Sequence, residues 1–167
     1  MKLYFYDRDK CHKRADTDRM IRESLERYTL SASLPAFSGK ILRTSLGKPF
    51  IDYPLFIGVT HTDSAVIIAV GEENFGIDCE EYGRQIKKRD AVASKYFCEG
   101  ELVLLENATD KNACFLDIWV KKEAYVKFTG EGISGMSKTD TTLLSGFERI
   151  ENDRNLIIYI YKEQSYE

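Results

Sequence analysis

Three prolines and eleven glycines in 167 residues are too few for a fibrous or disordered chain. Long apolar runs are missing as well. No run exceeds the length of Ala65–Val70, far short of the ~20 residues that span a bilayer, so a membrane-spanning helix is excluded. The opening MKLYFYDRDK reaches acidic residues after four apolar ones and contains no secretory apolar segment. Cysteine is sparse: Cys11, Cys79, Cys98 and Cys114 form no CxxC pair and have no histidine at metal spacing. Four scattered cysteines without a leader read as reduced thiols in a cytoplasmic protein; two disulfides are the alternative in an oxidising compartment.

What is present suits a packed core. Hydrophobic residues make up 43% of the chain and aromatics 12%. This length gives one domain or two small halves sharing a core. A domain of about 150 residues buries roughly 68–70% of its unfolded surface, enough to fold without staples. Charge is unevenly spread. The net charge is −3, yet residues 1–48 carry 11 Lys/Arg against 6 Asp/Glu, a net of +5 on a body of −8. A basic front on an acidic body suits an anionic ligand meeting the N-terminal part and argues against general nucleic-acid binding.

The pattern along the chain predicts α+β architecture. Leu3–Tyr6 reads as a strand, and Asp16–Tyr28 as a helix capped at Asp16 or Thr17. A loop extends to Gly47-Lys48-Pro49. Leu55–His61, Ala65–Val70 and Phe75–Glu80 then read as an antiparallel meander. Helical spacing returns around Ala91–Tyr96, over Glu101–Glu106 and from Asp110 to Thr129, where Gly130 and Gly132 end it. Thr141–Ile150 and Leu156–Tyr161 read as final strands. Two α+β halves joined near residues 71–76 fit this order better than a βαβ repeat.

Phe75-Gly-Ile-Asp-Cys-Glu80 is the most informative stretch. Strand alternation sends Phe75, Ile77 and Cys79 into the core and leaves Gly76, Asp78 and Glu80 on the other face. Two carboxylates side by side repel unless a cation separates them, and Mg²⁺ with its oxygen ligands is the natural one. An isolated Asp-x-Glu is more often a solvated strand face; Gly76 adds room for something to approach closely. In Trp119-Val-Lys-Lys-Glu-Ala-Tyr-Val-Lys127, helical spacing stacks Trp119, Glu123 and Lys127 on one face. Glu123 and Lys127 either pair at the surface or complete the carboxylate set and meet a phosphate. Lys48 in a Gly–Pro turn and His61 between Thr60 and Thr62 suit anion contacts; ordinary turn chemistry and a structural histidine are the alternatives.

Together, Gly76-Ile-Asp-Cys-Glu80 followed by Trp119-x-x-Lys-Glu-Ala-x-x-Lys127 resembles the signature of the 4′-phosphopantetheinyl transferases. Gly47-Lys-Pro49 and Thr60-His-Thr62 are similar to the additional motifs of the surfactin-synthetase-activating, or Sfp, type. About 75 residues precede the Asp motif, unlike the smaller trimeric holo-synthase type. The resemblance implies two similar halves, each a small antiparallel sheet with packed helices, folded as an intramolecular pseudo-dimer and a monomer. The halves would be 1–73, with the coenzyme A motifs, and 74–167, with the metal motifs. The chain is short for that type.

The implied roles fall residue by residue. Asp78, Glu80 and Glu123 match the Mg²⁺ ligands, a set that Mn²⁺ also accepts. Lys127 matches the phosphate lysine, and Lys48, Pro49, Thr60 and His61 match further coenzyme A contacts, with Thr60 and Thr62 where the family often has serine. Lys10, Lys13, Arg14 and Arg19 are the candidates for the 3′-phosphate. Lys122 belongs to the motif without an assigned role. The implied reaction moves the phosphopantetheine of coenzyme A onto a serine of an apo acyl, peptidyl or polyketide carrier protein, with Glu123 as base and Lys127 and His61 assisting. A coenzyme A- or carrier-binding relative without activity is the first alternative, and a Mg²⁺-dependent nuclease or phosphodiesterase the second. Against the latter, the chain is acidic and lacks a Glu-x-Lys after Asp78.

Overall fold

The computed structural model describes residues 1–164. The chain divides into two compact units, Met1–Phe75 and Gly76–Glu167.

In the first unit, β1 (Lys2–Asp7) is followed by α1 (Arg14–Ser31), a two-stranded ribbon of β2 (Ile41–Arg43) and β3 (Pro49–Ile51), then β4 (Phe56–His61) and β5 (Ala65–Gly71). The sheet order is β1-β5-β4, all antiparallel. Strand β5 is buried along its whole length, which explains its unbroken apolar sequence. Met20, Ile21, Leu25 and Tyr28 recur at helical spacing on α1 and pack with Tyr4, Ile57, Val66, Ile68 and Val70. Each such side chain contributes about 1.5–3 kcal/mol on full burial. The helix begins earlier than its sequence suggests. Asp16 lies inside it, and its carboxylate reaches back to accept the backbone N–H groups of His12 and Lys13, both at 3.0 Å. The expected loop up to Pro49 also contains β2, which pairs with β3 from Pro49 onward in a ribbon too short to leave a periodic signal.

The second unit runs β6 (Gly76–Glu81), α2 (Arg89–Tyr96), α3 (Glu99–Asn107), α4 (Lys111–Thr129), α5 (Ile133–Met136), β7 (Phe147–Arg149) and β8 (Leu156–Tyr161). Its sheet order is β6-β8-β7, again antiparallel. The expected meander therefore holds for β4 and β5 and is overturned for β6. Strand β5 already holds β1 and β4 on its two edges, so β6 enters a different sheet and pairs with β8, Gly76 opposite Tyr161. The strand expected over Thr141–Ile150 shrinks to Phe147–Arg149. Thr141–Leu143 instead forms a 3₁₀ turn capped by the Asp140 carboxylate, which accepts from the Thr142 N–H.

Helix α4 is the spine of this unit. Asp110 caps its start by accepting from the N–H groups of Asn112 and Ala113, and Gly130 ends it in the left-handed conformation (φ 80°) that glycine tolerates best. One side of α4 packs Leu116, Val120 and Ala124 onto Ile157, Tyr159 and Tyr161 of β8. Another side packs Phe115 and Ile118 against Ala93 of α2, Phe97 just after it and Leu105 of α3. All four cysteines are free. Among the described residues, no helix is long and apolar enough to cross a membrane.

Candidate active site

Strand β6 alternates as its sequence dictates, but neither face is solvated. Ile77 and Cys79 are buried on one face; on the other, Asp78 is only 7% exposed. The reason is Gly76. A Cβ placed there would stand 1.9 Å from the Ala124 carbonyl oxygen and 2.6 Å from the Phe128 nitrogen. The close approach expected at Gly76 is made by the protein's own α4. Close approach of α4 brings Glu123 and Lys127 over the β6 carboxylates.

The Lys127 ammonium donates to Asp78 Oδ1 at 2.6 Å, which joins α4 to β6. Glu80 accepts from the Arg84 guanidinium. Glu123 lies near enough to feel Asp78, Lys127 and Glu80. Burial first, then the Asp78 charge, raise its pKa above the ordinary glutamate value, and Lys127 pulls the other way. Burial opposes the charge on Lys127, but Asp78 and Glu123 outweigh it and hold the lysine pKa above its usual value.

Further along α4, Asp117 accepts from Lys121 at 2.7 Å and from the Tyr159 hydroxyl at 2.6 Å, which ties the helix to the β8 residue opposite Asp78. Trp119, partly buried, packs against the core. It stacks on Phe115 and meets Tyr96 edge-on. Lys122 points away from the carboxylates and is completely buried.

Among the described residues, no group of three or more His, Cys, Asp or Glu side chains is arranged to hold a metal ion. The donor chemistry nonetheless fits one. Three carboxylates approach each other, one buried and one with its pKa raised by burial and by the Asp78 charge, and the cations on Asp78 and Glu80 are the protein's own Lys127 and Arg84. Hard oxygens in mutual repulsion suit Mg²⁺.

In the first unit, Arg8, His12, Lys13, Arg14 and His61 line one basin of about 320 Å³, with Cys11, Thr17, Val59 and Val66. Sequence reading named Lys13, Arg14 and His61 but missed Arg8 and His12. The signal available was the basic run on either side of Cys11. Lys10 and Arg19 do not line this basin; they pair with Asp7 at 2.8 Å and Glu23 at 3.0 Å. Thr60 is buried in β4, on the face opposite exposed His61. The Thr62 hydroxyl accepts the N–H groups of Ser64 and Ala65 and closes the β4–β5 turn. Lys48 and Pro49 stand at the ribbon turn, where the Lys48 N–H donates to Thr44 Oγ1.

The family model of the 4′-phosphopantetheinyl transferase superfamily matches residues 74–164, just over half of the chain and all of the carboxylate site. The chain belongs to this superfamily. It is 30% identical over 94 residues to 4′-phosphopantetheinyl transferase gsp of Aneurinibacillus migulanus, covering 54% of this chain and 38% of that protein. It is 36% identical over 104 residues to 4′-phosphopantetheinyl transferase psf-1 of Bacillus pumilus, covering 59% and 43%. Identity to 4′-phosphopantetheinyl transferase Sfp of Bacillus subtilis (strain 168) is 28% over 135 residues, covering 78% and 57%. The chain thus spans about half the length of the curated relatives it matches.

Proposed function

We propose that this protein transfers the 4′-phosphopantetheine group of coenzyme A to a serine hydroxyl of an apo acyl or peptidyl carrier protein, as a holo-carrier-protein synthase. The observation that carries this reading is the convergence of Asp78 and Glu80 on β6 with Glu123 and Lys127 on α4, the four positions of the family's two main motifs. Asp78, Glu80 and Glu123 would hold Mg²⁺ or Mn²⁺. When bound, the ion supplies charge neutralisation at the pyrophosphate.

The chain's own residues supply the rest. The serine oxygen bonds to the β-phosphorus, the bond from that phosphorus to the bridging oxygen breaks, and adenosine 3′,5′-bisphosphate leaves. Glu123, with a pKa already raised, accepts the serine proton. Lys127 shifts from Asp78 to the phosphates and stabilises the charge that develops there. In the first unit, the basin of Arg8, His12, Lys13, Arg14 and His61 is the anion subsite for coenzyme A, with Lys48 as a further contact.

The pseudo-dimer belongs to the same reading, with a coenzyme A half at 1–73 and a metal half at 74–167 in one monomer. It is supported by topology: in each unit the first strand pairs with the last, which also pairs with the one before it. Four free thiols support a cytoplasmic location.

Intact-mass spectrometry tests the activity. Apo carrier proteins incubated with the protein, coenzyme A and Mg²⁺ should gain a phosphopantetheine increment that disappears with chelator or with Asp78→Ala. Coenzyme A binding without any increment on a panel of carriers would leave a binding-only relative. Absence of coenzyme A binding would overturn the reading.

A further inference from the structure

The α4 lysine without an assigned role has a definite place. The Lys122 side chain is fully buried, and its ammonium donates to Glu101 Oε2 at 2.6 Å and to the Thr139 carbonyl. Glu101, equally buried, accepts at both oxygens. Oε2 also takes the Cys98 N–H (2.8 Å), and Oε1 takes the Thr141 N–H (2.9 Å) and hydroxyl (2.7 Å). The Phe97 ring centroid lies 5.8 Å from the ammonium. One ion pair therefore joins the start of α3, the 139–141 segment and the middle of α4.

Stability does not explain such a pair. Two charges withdrawn from water recover little net energy, and well-packed apolar replacements are commonly neutral or stabilising. What the pair supplies is direction. A buried salt bridge satisfied by backbone donors on two other segments accepts one rotation and one axial level of the helix carrying it. On the next residue of α4, about 100° round the axis, stands Glu123, and one turn beyond it Lys127. An apolar contact tolerates sliding; Leu116, Val120 and Ala124 on β8 would admit small turns of α4 that a fixed ion pair does not. Glycine at 76, which lets the α4 backbone come close, raises the demand for that registration.

We infer that the buried Lys122–Glu101 pair is a positioning device that sets the rotation of α4 and thereby the placement of Glu123 and Lys127 over Asp78. Lys122 and Glu101 touch no substrate; they act through their neighbours. The effect on catalysis rests on the transferase reading, whereas the effect on geometry does not.

The decisive variant is the double substitution Lys122→Met with Glu101→Gln. It removes both charges while leaving an amide oxygen for the Thr141 or Cys98 donors, so no buried charge is orphaned. The single variant Lys122→Met, which does orphan one, serves as the stability control and should melt well below wild type. The double variant should melt within a few degrees of wild type, yet its crystal structure should show the Lys127–Asp78 contact lengthened from 2.6 Å to beyond 4 Å. Its kcat for transfer should fall about tenfold or more, as misplacement of reacting groups does, while KM for the carrier stays within about twofold. A double variant that keeps the Lys127–Asp78 contact at wild-type length overturns the positioning role, whatever its rate. A displaced contact with unaltered kcat overturns its bearing on catalysis. Failure of wild type to modify any carrier would strike the transferase reading alone, because the contact distance still decides the positioning role.

Discussion

Aligned on the central strand each one pairs with, β1 and β6 place Tyr4 opposite Ile68 and Asp78 opposite Tyr159, and likewise Tyr6 opposite Val66 and Glu80 opposite Ile157. The third and fifth positions of the first strand thus face a helix in both units. In the first unit they are phenols. The Tyr6 hydroxyl meets the Met20 carbonyl at 3.1 Å and Ser24 Oγ at 2.9 Å, and Tyr4 joins the apolar face of α1. In the second they are carboxylates under Glu123 and Lys127. One supersecondary plan therefore serves packing in one unit and charge in the other. Sheet and helix set where side chains converge; the identity of two strand positions and two helix positions sets what the convergence does.

The largest effects should follow from removing the charged set. Asp78→Ala and Glu123→Gln should each lower the transfer rate by about 10²–10³-fold or more, the cost of losing a preorganised electrostatic group, with coenzyme A binding by Glu123→Gln still measurable by calorimetry. The counterpart Tyr6→Phe should leave kcat within about twofold and cost about 1 kcal/mol of stability for its hydrogen bonds. A comparable loss of rate in Tyr6→Phe would break the comparison.

Gly76→Ala sharpens it through packing. Its Cβ would overlap the Ala124 carbonyl and force α4 outward, at about 1–3 kcal/mol or more by chemical denaturation. The matching position of β1 is the exposed Lys2, where Ala should change stability by no more than about 0.5 kcal/mol.

Next comes the division of labour between binding and chemistry. His61→Ala or Lys13→Ala should raise KM for coenzyme A about tenfold, as loss of one charge-assisted contact does, with kcat little altered and affinity falling as salt rises. A fall in kcat at constant KM would assign these residues to the chemistry. The smallest effect at a buried position belongs to Tyr4, whose hydroxyl meets no partner. Tyr4→Phe should stay within about 1 kcal/mol of wild type, on the stabilising side, by thermal melting.

The carboxylate site was legible because its geometry is local. Asp78 and Glu80 share a face by strand alternation, and Glu123 and Lys127 by helical spacing, so four residues follow from two short patterns. Neither pattern says which strand β6 joins, since β8 lies far along the chain and β5 is the nearer candidate. Lys122 was opaque for another reason. A lysine between Lys121 and Glu123 in a helix looks solvated, and only the arrival of Glu101 and Thr139 from distant sequence makes its burial tolerable. Gly76 was legible as a point of close approach, but no local pattern says that α4 is the element that arrives. In the first unit, the basic run around Cys11 showed where cations cluster, but which of them share a basin depends on loop conformation: Lys10 and Arg19 turn to Asp7 and Glu23 instead.

The pairing of β6 with β8 bears on when the protein becomes competent during synthesis. A nascent chain that has emerged as far as Thr129 already contains Asp78, Glu80, Glu123 and Lys127, yet among the described residues β6 has no sheet partner before Leu156–Tyr161. Such long-range pairing is slow to form, because loop closure precedes any gain from contact. Competence therefore waits for Leu156–Tyr161, and proteolytic removal of the segment after Arg149 would silence the carboxylates without touching one of them.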